Sequence, residues 1–246
     1  MKIKKLYFIL PALLALLVAL PLAAGQVKQA AVAKADTVPA GGRQVAPGRA
    51  AQPSQQPAPY IPLKPTDRPL AEILKEKGIA APIPSFKILV DKSDHLLTLY
   101  SGDTPLKAYS VDFGEGGLGD KVRQGDRKTP EGQFYIAENS VLSPPDQYLG
   151  SRWMRVSYPN IEDAQRGLDN GMIDQATYKE VIRANNNREI PPQKTALGGS
   201  IGIHGGSENG VNLGDSWTWG CVGLKNSDVN EIFDYSWVGT ELEIRS

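Results

Sequence analysis

From Phe86 onward the apolar positions recur at the two-residue period of β-strands. The segments "FKILVD", "LLTLY", "LKAYSVDF", "GQFYIA" and "WMRVSY" are short and rich in branched and aromatic residues, and Gly, Asp or Pro bounds them. A helical insert then interrupts the strands, with Ala164 and Leu168 before a "DNG" turn and Tyr178, Val181 and Ile182 after it. Asp174 is placed to cap the second of these helices, with Ile173 and Tyr178 spaced as a hydrophobic staple. Strand signals return as "SIGIH", "CVGL" and "ELEI", and a short helix is expected at about Ser227 to Tyr235. Upstream, "TDRPLAEILKEKGIAAP" predicts one short helix beside the main domain. Pro69 suits its first position, Leu70, Ile73 and Leu74 share a face, and Gly78 stops it. The pattern predicts a single mainly β domain of about 160 residues, large enough to close one hydrophobic core.

The first 65 residues carry no such pattern. Lys2, Lys4 and Lys5 precede an apolar run from Leu6 to Ala24, which reads as an export signal, either cleaved after Ala24 or Gly25 or retained as an N-terminal anchor. Gln26 to Pro65 contains 22 Ala, Pro or Gln in 40 residues and a single aromatic, Tyr60. Such a segment cannot bury enough apolar surface to offset its ordering entropy, and it reads as a disordered spacer. Extended, it would reach on the order of 120 Å. The organisation expected is therefore residues 1–25 signal or anchor, 26–65 linker, 66–85 short helix and connector, and 86–246 the folded domain.

Charge and composition narrow the chemistry. The chain has 27 basic and 27 acidic residues, and without the three N-terminal lysines acidic residues are in excess by three. No basic surplus points to nucleic acid. Two histidines and one cysteine supply no cluster with metal-ligand spacing, so neither metal nor cofactor is expected. "GEGGLG" at Gly114–Gly119 matches a dinucleotide fingerprint only in its letters. The turn-rich "DKVRQGDRKTPEG" succeeds it where a helix would have to start, so it reads as a glycine-rich loop.

Cys221 is the one thiol of a chain read as exported, where cysteines usually pair. It comes after Trp219 and Gly220 rather than an apolar run, and glycine there lets the backbone approach a substrate. A free thiol is only a few per cent ionised at neutral pH, so a nucleophilic cysteine needs a base. His95 lies in the turn "DKSDHLL", where a solvated polar residue is the expected occupant. His204 ends the strand signal "SIGIH" before Gly205 and Gly206, 17 positions ahead of the thiol. A Cys221/His204 nucleophile and base pair is the economical reading, against a core or supporting role for the histidine.

The order "GDRKTPEGQFYI", "IGIHGG", "SWTWGCVGL", "VGTELEI" closely resembles the catalytic domain of L,D-transpeptidases of the YkuD type, over roughly Phe86 to Ser246. His204, Thr218, Gly220 and Cys221 match the family's paired signature by residue type. Three positions depart from it. The gap from His204 to Thr218 holds 13 residues, one fewer than usual, Trp219 stands where histidine is frequent, and Gly223 where Arg or Asn is frequent. The resemblance implies a mainly β, sandwich or barrel-like fold with a helical insert and short flanking helices. It also implies thioester acyl transfer on peptidoglycan stem peptides, with Cys221 as nucleophile and His204 as base, forming 3→3 cross-links. Gly220 and Gly205 are then expected at the oxyanion and the imidazole, and Thr218 and Trp219 at the substrate. Arg127 and Lys128 are given no catalytic role. Water in place of the amine acceptor would make the same site an L,D-carboxypeptidase or endopeptidase. A wall-binding module with an incidental Cys/His pair is the reading from another class.

Overall fold

The computed structural model describes residues 62–206 and 216–246. The export signal and all but the last residues of the spacer lie outside the described residues, as does most of the loop between His204 and Thr218. The strands are β1 (Phe86–Asp91), β2 (Leu96–Ser101), β3 (Thr104–Ser110), β4 (Gly132–Asp146), β5 (Gly150–Val156), β6 (Gly202–His204), β7 (Val222–Gly223) and β8 (Glu241–Arg245). Four helices accompany them: α1 (Leu70–Glu76), α2 (Ile161–Asp169), α3 (Gln175–Asn186) and α4 (Asn226–Tyr235).

The eight strands form one mixed sheet in the order β3-β2-β1-β8-β4-β5-β6-β7. Antiparallel pairs dominate, and the parallel pairs are β1 with β8 and β6 with β7. The two edges of this order meet. Asp112, just beyond β3, forms an antiparallel bridge with Gly223 of β7, with N–H to carbonyl distances of 2.9 and 3.0 Å in the two directions. Closure of this kind removes the free edges a flat sheet would leave, and it gives the fold its barrel-like character. The fold is mainly β, with the α2–α3 insert between β5 and β6.

One core fills the domain. Ile88, Val90, Leu97, Leu99, Ile136, Val156, Ile203, Val222 and Leu242 enter it from the strands and Val229 and Ile232 from α4. Helix α1 belongs to it as well, because Leu70 and Leu74 are buried in the same cluster. Its first turn is tied down from afar. The Leu70 N–H donates to Glu231 on α4 at 2.5 Å, and Glu231 in turn accepts from Lys107 at 2.6 Å and Tyr109 at 2.8 Å. Pro69 stands one place earlier than the sequence suggests, as the N-cap.

The insert builds a satellite cluster of Ala164, Ile173, Val181 and Leu197, with Tyr178 packed against it. Asn160 and Asp163 form a reciprocal capping box on α2, and the Asp174 carboxylate caps α3 by accepting the Thr177 N–H at 2.8 Å. Among the described residues no helix is long and apolar enough to cross a membrane.

Candidate active site

The register of β6 and β7 brings the histidine and the cysteine together. Ile203 lies opposite Val222 and His204 opposite Gly223, and both Ile203 and Val222 point into the core. Side chains alternate along a strand, so His204 and Cys221, each one position away from that core pair, turn to the other face. Gly202 keeps this face open. A Cβ on it would come within 2.5 Å of the Trp153 ring, which reaches over from β5.

His204 is fully buried in an aromatic box. Trp153 stacks on the imidazole with centroids 6.0 Å apart, and Trp217 meets it edge-on at 5.5 Å. Tyr148 lies tilted against it at 5.5 Å. Trp217 is fixed by an Nε1–H bond of 2.9 Å to the Asp112 carboxylate. The imidazole Nδ1 lies 2.7 Å from the Gly205 carbonyl, so Nδ1 carries the proton and Nε2 the lone pair. That Nε2 is buried with no hydrogen-bond partner among the described residues. Burial lowers the imidazole to about 4, against opposing pulls from the Gly205 carbonyl and the Asp146 carboxylate. At neutral pH His204 is therefore uncharged.

Cys221 is 7% exposed and opens onto a cavity of about 930 Å³. Its thiol donates weakly to the Ser200 carbonyl at 3.7 Å. Burial pushes the thiol up to about 11, although the Gly202 N–H and the charges of Lys121 and Arg155 favour the thiolate. With His204 at about 4 and Cys221 at about 11, the resting pair is thiol and imidazole rather than thiolate and imidazolium.

The backbone around Cys221 is held by two threonines. The Thr218 hydroxyl donates to the Cys221 carbonyl at 2.7 Å and accepts the Gly220 N–H at 3.2 Å. Thr129, from "GDRKTPEG", donates to the same carbonyl at 3.3 Å and accepts the Gly114 N–H at 3.0 Å. The glycine-rich loop serves the same purpose. The Thr218 N–H donates to the Phe113 carbonyl at 3.1 Å and the Thr218 carbonyl accepts the Glu115 N–H at 2.9 Å, so the loop is stitched to the turn that carries Cys221. Gly220 has φ +122°, and a Cβ there would meet the Lys128 carbonyl at 2.7 Å.

The expected site residues are thus distributed unevenly. His204 ends β6, Cys221 immediately precedes its partner strand β7, and Gly205 is at the imidazole. Trp219 lines the cavity and is 66% exposed. Thr218 is fully buried with its hydroxyl taken up by the backbone at Cys221 and Gly220, so it shapes that turn instead of touching the cavity. The Gly220 N–H is likewise occupied by Thr218, whereas no described group accepts the Cys221 N–H. His95 is engaged elsewhere: its Nδ1 pairs with the Val111 carbonyl at 3.2 Å and its ring packs against Phe113.

Four contributors escape sequence reasoning. Tyr148 and Trp153 box the histidine, and Tyr148 also accepts the Trp219 N–H at 3.0 Å. Ser200, with φ +56°, presents its carbonyl to the thiol. Thr129 stands inside "GDRKTPEG", a stretch that carries part of the family resemblance, but nothing local links it to Cys221.

Comparison with known proteins identifies the family. YafK of Escherichia coli K12, whose name assigns it provisionally to the L,D-transpeptidases, is 26% identical over 171 residues, covering 68% of this chain and 52% of YafK. The chain thus spans about half the length of the curated relatives it matches. Among solved structures, Bd1075 of Bdellovibrio bacteriovorus is 22% identical with a TM-score of 0.45, covering 68% of this chain and 49% of that one. The helical cell shape determining protein Pgp2 of Campylobacter jejuni is 21% identical with a TM-score of 0.45, covering 72% and 55%. Residues 85–244 match the family described as the L,D-transpeptidase catalytic domain, YkuD. The chain, with its closed mainly β sheet and with His204 on β6 and Cys221 immediately before the adjoining β7, belongs to the YkuD family of L,D-transpeptidase catalytic domains.

Proposed function

We propose that the protein is a cysteine-dependent L,D-transpeptidase that acts on peptidoglycan stem peptides and forms 3→3 cross-links through a thioester on Cys221. The observation that carries the reading is the buried, unpartnered Nε2 of His204 on the sheet face it shares with the thiol. A buried nitrogen without a partner is costly, and an approaching thiol proton repays that cost.

In the reaction, Cys221 turns from the Ser200 carbonyl toward Nε2 and attacks the L-centre carbonyl of a diamino acid linked to D-Ala. The S–C bond forms as the thiol proton passes to Nε2, and the carbonyl π pair moves onto oxygen. The Cys221 N–H, free of any described acceptor, is the donor nearest the developing oxyanion; losing one such donor costs about 2.7–4 kcal/mol in other enzymes. Collapse breaks the C–N bond, Nε2 protonates the departing D-Ala amine, and the thioester remains. An amine from a second stem then attacks the thioester and yields its proton to Nε2. The new C–N bond forms, the C–S bond breaks, and the sulfur recovers its proton. A neutral base suits these steps, because His204 must be unprotonated at the start of each half-reaction.

On this reading residues 1–25 direct export or anchor the chain, and residues 26–65 hold the domain away from the membrane, within reach of the wall. Incubation with a purified tetrapeptide muropeptide, followed by mass spectrometry, tests the proposal. Cross-linked dimer that requires Cys221 is expected. A product list containing only the shortened monomer would replace the transferase with a hydrolase, and products from Cys221→Ala would remove the thioester altogether.

A further inference from the structure

The cavity above Cys221 is cationic. Lys121, Arg127, Arg155 and Lys194 line it, and Glu138 is the carboxylate among the lining residues. These cations differ in what they have left to offer. Lys121 is buried and spent, donating to Asp126 at 2.7 Å and to the Arg123 carbonyl at 3.0 Å. Arg127 is paired with Glu115 and lies over the Trp219 ring at 5.5 Å.

Arg155 is fixed yet incompletely used. Its Nε donates to Glu138 at 2.6 Å, its Nη1 donates to Gln193 at 3.2 Å, and its guanidinium rests over Trp153 at 5.5 Å. Its Nη2 has no acceptor among the described residues. Gln193 is itself held, donating to the Tyr158 carbonyl at 3.0 Å and accepting the Ser200 N–H at 2.7 Å. The guanidinium is therefore preorganised beside the segment whose Ser200 carbonyl receives the thiol. Lys194, next to Gln193, is exposed and has no ion pair or hydrogen bond among the described residues.

We propose that Arg155 and Lys194 form a carboxylate subsite in the Cys221 cavity, which selects acyl-donor peptides bearing a free carboxylate. The inference rests on the acyl-transfer reading above and adds its specificity. A planar guanidinium with a free amino group takes one carboxylate oxygen in a fixed direction, and the mobile ammonium of Lys194 closes on the other. The carboxylate comes either from the departing C-terminal residue or from the side branch of the residue that is attacked.

Three donor peptides separate these sources: the free acid, the terminal amide and the side-branch amide. Wild-type enzyme should favour the free acid over one of the amides by about tenfold or more in kcat/KM, with the difference in KM, as expected for loss of a charge-assisted hydrogen bond. Lys194→Gln should shrink that preference severalfold by raising KM for the free acid alone, and Lys194→Arg should restore it. Arg155→Gln should act in the same direction, with its folding checked by thermal melting. Equal turnover of all three donors by wild type, or an undiminished preference in both Gln variants, would overturn the subsite. If wild type turns over none of them, the acyl-transfer reading fails by itself. Calorimetric titration of the same peptides into Cys221→Ala then decides the subsite, with tighter binding of the free acid supporting it and equal binding refuting it.

Discussion

Protonation of His204 is the perturbation whose size the structure sets most directly. The unfolded imidazole titrates near 6.5, whereas burial in the box of Tyr148, Trp153 and Trp217 lowers it to about 4 in the folded chain. A depressed histidine makes the unfolded state bind more protons between these values, so stability is lost as pH falls through about 6.5. At pH 5 the unfolded side chain is almost wholly protonated and the folded one about one-tenth so. The linkage costs about 2 kcal/mol between pH 7 and pH 5. Other groups titrate as well. Burial raises Asp163 to about 7, and its contribution runs the opposite way, increasing as pH falls. A comparison with His204→Gln removes such terms, because they are common to both proteins. Urea denaturation at pH 7 and pH 5 should show wild type losing about 2 kcal/mol more than the variant. Equal losses would mean that His204 is not held neutral by burial, and the neutral thiol–imidazole pair would have to be abandoned.

The same pair predicts slow thiol chemistry. With Cys221 at about 11, iodoacetamide labelling should accelerate by about tenfold per pH unit from pH 7 to 10, and a plateau below pH 8 would indicate a thiolate–imidazolium pair instead. Gly202→Ala drives a methyl group to within 2.5 Å of the Trp153 ring, so it should cost about 1–3 kcal/mol in urea denaturation and lower kcat by displacing the histidine box. Thr218→Val leaves the Gly220 N–H without its acceptor and should cost about 1–3 kcal/mol; an unchanged denaturation midpoint would contradict the buried role assigned to that hydroxyl.

The parts of the fold governed by local periodicity were legible in the sequence. "FKILVD" coincides with β1, "ELEI" lies within β8, and Asp174 caps α3 as its spacing before an amphipathic run suggested. β4 was legible only in part. It continues past Ala137 to Asp146 through exposed Val141 and the Pro144–Pro145 pair, where neither alternation nor propensity marks a strand. The extension exists because it pairs with β5, a tertiary cause. Closure through Asp112 and Gly223 joins positions more than a hundred residues apart, and no local pattern encodes it.

The site divides in the same way. His204 and Cys221 stand out as candidates in the sequence because scarcity and glycine context single them out. The aromatic box does not, since Trp153 reaches His204 only through the β5–β6 register and Tyr148 only through the turn after β4. The run of turn residues from Asp120 to Gly132 marks a stretch without a helix, and the described chain has none between β3 and β4. The loop's actual task, bringing backbone close beneath Thr218 and Gly220, depends on a contact between distant segments.

The central claim is that Cys221 is a nucleophile served by His204. Intact-protein mass spectrometry after exposure to a carbapenem tests this most directly, since ring opening by the thiol leaves the drug's mass on the chain. One adduct per chain is predicted, located on Cys221, absent from Cys221→Ala, and formed about a hundredfold or more slowly in His204→Gln. An unmodified wild-type protein, or an adduct that persists in Cys221→Ala, would contradict that claim.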